Sequence, residues 1–230
     1  MTLPGHPPIV ALIPAYDEGP RVVAVVEAAA RCLPVLVVDD GSRDDTVARA
    51  EAAGATVVRQ VPNAGKGAAL RMGFRIAMEA GCEAVVTLDA DGQHDPAEIQ
   101  SFLDARERTV ADLIIGRRDF SRMPPIRQLS NRLGGLAFSW AVGRQIPDNQ
   151  SGYRLVSRRL MEAMLASAES GFEFEVEMIT TAIRAGWAIE WVPIRTIYAG
   201  EPSHIEPWRH FTSFVRMVRK ARATVRRASG

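Results

Sequence analysis

The chain has 230 residues, of which 47% are hydrophobic and 24% are charged, the usual composition of a soluble globular protein with one sizeable core. The formal net charge of +1 excludes a globally basic nucleic-acid-binding protein, so we expect no nucleic-acid partner. The longest apolar stretch in the middle of the chain, residues 133–143, is well short of the roughly 20 residues that span a bilayer. We therefore expect no transmembrane anchor.

The N-terminus and the cysteines predict a cytoplasmic location. The first residues lack the cationic region of a secretory signal peptide. Cys32 and Cys82 fit no metal-binding spacing, and each stands at the end of a predicted helix. We therefore expect two buried free thiols in a reducing compartment.

Apolar runs that alternate with helical segments predict a sheet in the first half of the chain. The runs are continuously apolar, which indicates parallel strands covered by helices on both faces. Pro20 and Asp44-Asp45-Thr46 are typical first residues of helices, and a third helix is expected from Lys66 through Met78. The predicted strands are residues 9–13, 35–38, 55–58, 84–88 and 112–116.

The second half continues with helices, a polar segment and one more strand. Helices are predicted at residues 129–142, 158–166 and 173–185, and a strand at 187–194. Between them, residues 148–154 are polar and typical of a turn. No linker divides the chain, so we expect a single α/β domain over residues 1–230, with a mostly parallel central sheet.

The C-terminal tail is basic. From Pro207 onward it contains seven basic residues and no acidic one. Phe211, Phe214, Val215 and Val218 recur at helical spacing with arginines between them, which predicts a basic amphipathic helix at about 207–227. Such a helix either docks on its own domain or lies on an anionic membrane surface.

Asp89-Ala90-Asp91-Gly92-Gln93 directly follows the apolar run at 84–88. Two carboxylates at the C-terminal end of a buried strand point toward the crevice where open α/β sheets bind ligands. With the amide oxygen of Gln93, they offer the hard oxygen donors that suit Mg²⁺ or Mn²⁺. On this motif alone, a solvated acidic turn stays an alternative.

Two common nucleotide-binding motifs are absent. The segment 63–67 (Asn-Ala-Gly-Lys-Gly) resembles a P-loop, but Gly67 stands where that motif requires Ser or Thr. Pro14-Ala15-Tyr16 occupies the turn where a dinucleotide-binding protein carries its glycine-rich loop. Neither ATPase nor dehydrogenase chemistry is therefore supported.

What remains is a crevice with acidic strand ends, an acidic pair for a metal ion and a group of arginines from Arg117 onward. An acidic residue at a strand end can hydrogen-bond a ribose or base. A metal ion can neutralise a diphosphate leaving group, and arginines can hold a phosphate-bearing second substrate. Together these features suggest sugar transfer from a nucleotide-sugar donor.

Five segments, in order along about two thirds of the chain, carry a family resemblance: residues 13–18, 37–46, 63–67, 89–94 and 148–154. With these segments the chain resembles glycosyltransferase family 2 enzymes of the GT-A fold, in particular the dolichol-phosphate mannosyltransferase and polyprenyl-phosphate glycosyltransferase group. The resemblance implies an inverting, metal-dependent transfer of a hexose from GDP-mannose or UDP-glucose to a polyprenyl or dolichyl phosphate at the membrane surface.

The resemblance also implies roles for individual residues. The nucleotide-sugar pocket would be lined by Pro14, Ala15, Tyr16, Glu18, Asp40, Gly41, Lys66, Asp89, Ala90 and Asp91. The Mg²⁺ or Mn²⁺ ion would be held by Asp89, Asp91 and Gln93. The acceptor phosphate would meet Arg117, Arg127 and Ser130. The candidate catalytic residues are Asp89, Asp91, Asp148 and Arg117.

Two alternatives stay open. Residues 198–204 lack an arginine that many polyprenyl-phosphate members carry and place His204 where they have a lysine. A transferase with a soluble or polysaccharide hydroxyl acceptor is therefore the first alternative, and it would require a carboxylate base, for which Asp148 is the leading candidate. The second is a non-catalytic nucleotide-binding protein of the same fold.

Overall fold

The computed structural model describes residues 8–119, 125–171, 173–195 and 197, together with Arg219 and Arg222, and the side chains of residues 125–142 only from 134 onward. Three predictions therefore fall outside the described residues. They concern the segment 198–204, the predicted helix at 207–227 apart from those two arginines, and the side chains of Arg127 and Ser130.

Within the described residues, seven strands form one central sheet with helices between them. The strands are β1 (Ile9–Ala15), β2 (Val35–Asp39), β3 (Thr56–Arg59), β4 (Ala84–Thr87), β5 (Leu113–Arg118), β6 (Arg154–Ser157) and β7 (Ile189–Ile194). The helices are α1 (Gly19–Ala30), α2 (Thr46–Ala52), α3 (Lys66–Glu79), α4 (Ile99–Thr109), α5 (Pro125–Val142), α6 (Arg158–Met164) and α7 (Glu173–Arg184), with a 3₁₀ turn at Pro96–Glu98 before α4.

The sheet is mostly parallel, as predicted, in the order β3-β2-β1-β4-β6-β5-β7. Strand β6 is antiparallel to both of its neighbours, β4 and β5, whereas the other pairs among the described strands are parallel. Strand β6 was not predicted from the sequence, and its first residue was assigned to a turn. This strand has only four residues and begins with the charged Arg154, so it carries almost no hydrophobic pattern.

Helices cover both faces of the sheet, which confirms the prediction from the continuously apolar strands. In β1, Val10 and Leu12 belong to the apolar cluster formed with α3, α5, α6 and α7. Ala11 and Ile13 belong to the opposite cluster, formed with α1, α2 and α4. All four side chains are fully buried. Burying a Val, Leu or Ile in this way stabilises the fold by about 1.5–3 kcal/mol per side chain.

Two local predictions were wrong. Helix α5 begins at Pro125 rather than at residue 129, because proline fits the first turn of a helix, where its missing N–H is not needed. Cys82 is buried, as expected, but Cys32 is exposed. It lies just beyond the end of α1, in the turn that leads to β2.

Candidate active site

The carboxyl ends of β1, β2 and β4 meet at one edge of the sheet, because these parallel strands are neighbours. The backbone N–H of Asp40 donates to the carbonyl oxygen of Ala15 at 2.8 Å. On the other side of β1, the N–H of Leu88 donates to the carbonyl oxygen of Leu12 at 3.2 Å. The structure thus brings the polar residues that follow β1, β2 and β4 to the same edge.

Asp40, at the end of β2, holds the loop that leads into α3. Its carboxylate accepts hydrogen bonds from Gln60 Nε2 at 2.7 Å, from the Ala64 N–H at 2.9 Å and from the Gly65 N–H at 2.7 Å. The side chain is almost fully buried. A residue predicted to line the nucleotide pocket therefore also fixes the shape of the adjoining loop.

Gly41 forms the tight turn after β2. The fully buried Asp39 accepts hydrogen bonds from the backbone N–H groups of Gly41 and Ser42, at 3.2 to 3.3 Å. Gly41 has a φ of +83°, and a Cβ atom there would lie 3.1 Å from the backbone nitrogen of Asn63. Both the backbone conformation and the close approach of the neighbouring loop favour glycine.

The predicted metal-binding segment is anchored through its middle residue. Ala90 is buried in the apolar cluster with α1 and α4, whereas Asp89 and Asp91 on either side of it are half-buried. The N–H of Asp89 donates to His94 Nδ1 at 3.2 Å, and the N–H of Gln93 donates to Asp91 Oδ1 at 2.9 Å. Burial lowers the pKa of His94, which keeps Nδ1 available as an acceptor. These bonds fix the backbone that carries both carboxylates.

The donor set of this segment fits a divalent cation that needs only a few protein ligands. Burial, and then repulsion by Asp89, raise the pKa of Asp91 to about 6. A divalent cation between two such carboxylates would relieve that repulsion. Over the described ranges, no group of three or more His, Cys, Asp or Glu side chains could form a closed metal cage. Mg²⁺ is commonly bound by one or two carboxylates with substrate phosphates and water completing its shell.

Lys66, the first residue of α3, joins two carboxylates. Its Nζ lies 2.5 Å from Asp89 Oδ1 and 3.0 Å from Glu175 Oε1. Burial alone would lower the pKa of Lys66, but the two carboxylates outweigh burial and raise it. Burial likewise favours a higher pKa for Asp89, and Lys66 reverses this so that the pKa is lowered. A Cβ atom on Gly152 would lie 2.8 Å from Asp89 Oδ2 and 2.9 Å from Lys66 Nζ. These side chains therefore pack directly against the backbone of Gly152.

Arg154, the first residue of β6, is fully buried and holds three backbone segments together. Its guanidinium donates to the carbonyl oxygen of Ser151 at 2.7 Å, to that of Asn149 at 3.3 Å and to that of Glu175. Burial lowers its pKa. These bonds tie the first turn of α7 to residues 149–152, so that Glu175 reaches Lys66.

Asp148 forms a bidentate ion pair with Arg118. Arg118 Nε donates to Asp148 Oδ2 at 2.7 Å, and its terminal nitrogen donates to Oδ1 at 2.9 Å. The N–H of Gln150 adds a bond to Oδ1 at 3.1 Å. The side chain of Arg118 is only 18% exposed, and that of Asp148 is 1% exposed. Asp148 thus accepts bonds from Arg118 and Gln150. Because Arg118 is the last residue of β5, these bonds fix the end of that strand.

The N-terminus of α3 is closed by the chain itself. The N–H groups of Gly67 and Ala68 donate to the carbonyl oxygen of Ser170, at 2.7 and 3.3 Å. A Cβ atom on Gly67 would lie 2.7 Å from Cβ of Phe174. The first N–H groups of this helix therefore already have a protein acceptor, which agrees with the absence of a P-loop.

The remaining predicted site residues have different surroundings. Tyr16 is 41% exposed at the end of β1, and Glu18 forms an ion pair with Arg21 at 2.9 Å. Pro14 lies in β1 and pairs with Val38 of β2. Arg117 is exposed at the end of β5. Arg127 and Ser130 lie in α5, and their side chains are outside the described part of the chain.

Sequence reasoning did not identify Glu175, Arg154 and Arg118 as parts of the site. Arg118 adjoins Arg117, and the period-two alternation of a strand could have indicated that one of these neighbours faces Asp148. Arg154 was included in a motif but given no role. Nothing in the local sequence distinguishes Glu175 from Glu173 or Glu177, so its part in the site depends on tertiary packing alone.

Residues 10–165 match the sequence profile described as glycosyl transferase family 2. The chain belongs to this family. It is a glycosyltransferase, and its mostly parallel seven-stranded sheet with helices on both faces is the GT-A fold.

Two family relatives are similar over most of their length. The polyprenol monophosphomannose synthase of Mycolicibacterium smegmatis is 33% identical, over 80% of this chain and 75% of that protein. The undecaprenyl-phosphate mannosyltransferase of Micrococcus luteus is 32% identical, over 81% of this chain and 82% of that protein.

A solved structure shares the fold. It is the glucosyl-3-phosphoglycerate synthase of Mycobacterium tuberculosis in complex with Mn²⁺, UDP and glucosyl-3-phosphoglycerate. The TM-score is 0.66 at 23% sequence identity, with 96% of this chain and 79% of that chain covered.

Proposed function

We propose that this glycosyltransferase moves a hexose, with inversion, from GDP-mannose or UDP-glucose to a polyprenyl phosphate, and that it requires Mg²⁺ or Mn²⁺. The observation that carries the acceptor assignment is the similarity to two enzymes whose names specify mannosyl products of polyprenol or undecaprenyl phosphate. Both names also favour mannose as the transferred sugar.

The donor half of the proposal is supported by the edge formed by β1, β2 and β4. Asp40 and Gly41 would line the base and ribose, as acidic strand ends do in other open α/β sheets. Asp89, Asp91 and Gln93 would hold the metal ion. When bound, such an ion would neutralise the diphosphate leaving group. The solved structure of the same fold contains Mn²⁺ and UDP.

The acceptor half is supported by charge. A phosphate monoester has a second pKa near 6 and is largely dianionic at neutral pH, so it needs positioning more than it needs a base. Arg117 is exposed at the end of β5 and available for such a phosphate. Asp148 already accepts two bonds from Arg118, which favours a positioning role for this carboxylate over proton abstraction.

Action at the cytoplasmic face of a membrane is the remaining part of the proposal. No helix in the described part of the chain combines the length and hydropathy of a membrane span. Leu136 and Trp140 are 68% and 64% exposed on α5, and Arg222 of the basic tail lies 3.7 Å from the centroid of the Trp140 ring. An apolar helix face beside cationic residues is what an anionic membrane surface attracts.

The membrane part is tested by removing the basic tail. Truncation after Pro207 should weaken binding to vesicles that contain phosphatidylserine and leave nucleotide binding intact. Unchanged vesicle binding would contradict the interfacial role of the tail.

The transfer reaction is tested with labelled sugar. Purified protein with Mg²⁺ or Mn²⁺ and a polyprenyl phosphate is given GDP-mannose or UDP-glucose, and label is counted in the organic phase. We expect label with one donor, loss of the label with EDTA, and loss in Asp91→Ala. Label that appears only on a soluble hydroxyl acceptor would overturn the acceptor assignment.

A further inference from the structure

We propose that the ammonium of Lys66 pairs with Asp89 until the metal ion and the donor bind together. The ammonium then moves to Glu175, which acts as a positioning residue. This inference rests on the proposed function for its metal site. It assigns to Glu175 a role in controlling when that site accepts an ion.

The three side chains are arranged in order of depth. Asp89 is 27% exposed, Lys66 is 18% exposed, and Glu175 is 4% exposed, so the ammonium lies between an outer and an inner carboxylate. Asp89 would therefore be the first of the three groups to meet an ion from solvent. The ammonium would then move toward Glu175, whose Oε1 is only 3.0 Å away.

The inner carboxylate has little freedom to move. Arg154 donates to the backbone carbonyl of Glu175 and to those of Asn149 and Ser151. Gly152 leaves no space on the other side, because a Cβ atom there would lie 3.0 Å from Glu175 Oε1. Glu175 is therefore a fixed anchor, whereas Lys66 has a long, flexible side chain.

Charge explains why both carboxylates are needed. With Asp89 as its sole partner, the ammonium would neutralise that carboxylate and weaken its attraction for a divalent cation. Sharing the ammonium with Glu175 leaves a net charge of −1 on the three groups, and Asp91 adds a further negative charge when it is ionised. The arrangement would weaken the binding of a free metal ion, whereas a metal-bound diphosphate would supply the extra binding energy that displaces the ammonium.

A purely stabilising ion pair would behave differently. If the three groups only held α3 to α7, replacing either partner would loosen the same contact, and both changes would weaken metal binding. Competition predicts opposite directions. Removing the ammonium releases Asp89 to the metal, whereas removing the carboxylate of Glu175 strengthens the pairing of the ammonium with Asp89.

The test measures Mn²⁺ binding by the electron paramagnetic resonance signal of free Mn²⁺, without nucleotide and then with saturating GDP or UDP. Without nucleotide, Lys66→Gln should bind Mn²⁺ about tenfold or more tightly than the wild type, because one opposite charge within about 4–6 Å changes the affinity of a carboxylate for a proton by about 1–3 pKa units. Glu175→Gln should bind Mn²⁺ more weakly than the wild type. If Lys66→Gln does not fold, Lys66→Met carries the same expectation.

Two controls isolate the positioning role. Glu173→Gln removes the same charge from the same turn of α7 and should leave Mn²⁺ affinity unchanged. In the Lys66→Gln background, Glu175→Gln should have little further effect, because Glu175 acts through the ammonium.

Three outcomes would overturn the inference. One is an unchanged or weaker Mn²⁺ affinity in Lys66→Gln. Another is a full effect of Glu175→Gln in the background that lacks Lys66. If the wild type binds no Mn²⁺ even with GDP or UDP present, the metal site of the proposed function is itself wrong, and the inference falls with it.

Discussion

The ion pair of Arg118 and Asp148 allows the role of Asp148 to be tested through stability. Asp148→Asn keeps the side-chain shape but replaces one acceptor oxygen, which faces the guanidinium, with an NH₂ donor. The side chains of Arg118 and Asp148 are 18% and 1% exposed, so the guanidinium loses a bidentate acceptor in poorly solvated surroundings. Losing one partner of a buried pair costs about 3–5 kcal/mol, and we expect the lower end because Arg118 keeps some solvent contact. For a chain of this length, about 3 kcal/mol lowers Tm by about 6–12 °C.

The chain contains a matched control for this substitution. Arg159 donates two bonds to Asp112, at 3.1 and 2.5 Å, but these side chains are 58% and 11% exposed. Asp112 is itself buried and also accepts a bond from Ser157 Oγ at 2.9 Å, but its partner Arg159 is largely exposed, so Asp112→Asn should cost less than Asp148→Asn. Urea unfolding followed by circular dichroism measures both variants. Equal losses in the two would refute the argument from burial.

Transfer activity of the same variant separates positioning from proton abstraction. Assayed well below its melting range, Asp148→Asn should keep a measurable rate with a polyprenyl phosphate, because that acceptor is already largely deprotonated at neutral pH. A rate near the detection limit would count against the phosphate-acceptor mechanism.

Three further substitutions have defined outcomes. Gly41→Ala should lower stability by at least about 1–2 kcal/mol, the cost of a left-handed conformation for a residue with Cβ, as measured by urea unfolding; an unchanged midpoint would contradict this. Gly152→Ala should weaken the binding of Mn²⁺ with GDP or UDP in a calorimetric titration, since its Cβ would lie 2.8 Å from Asp89 Oδ2, and unaltered binding would exclude that crowding. Burial raises the pKa of Glu98 above its ordinary 4.5, so its ionised form opposes folding once the pH rises through the folded-state pKa. Glu98→Gln should therefore raise Tm relative to the wild type at pH 8, with the gain disappearing below about pH 4.5; a gain independent of pH would exclude this cause.

The parallel strands and the positions of the acidic strand ends could be predicted from sequence because their signals are local. A continuous apolar run ending in Asp89 specifies both a buried strand and a carboxylate at its end. Strand β6 could not be predicted in this way, since it is short and its first residue, Arg154, is a buried charge whose partners are backbone carbonyls up to 21 residues away.

Long-range packing also decides the inner part of the site. Lys66 was predicted to bind the nucleotide sugar, but its contact with Glu175 spans more than a hundred residues and has no local pattern. The sequence likewise favoured Arg117, whereas the bond to Asp148 comes from its neighbour Arg118. Which of two adjacent arginines faces inward depends on the register of β5 against β6 and β7.

The antiparallel insertion of β6 has a consequence for how this enzyme can change. Because β6 runs opposite to β5, the chain leaves the sheet at Arg118 and returns at Arg154 on the same edge. The intervening stretch, which holds α5 and Asp148, thus joins two neighbouring strands at one end of the sheet, and it meets the end of β4 through Gly152 beside Asp89. Variation of this stretch before Gly152 is therefore a route to new acceptors, provided that Gly152 keeps its packing against Asp89 and Lys66.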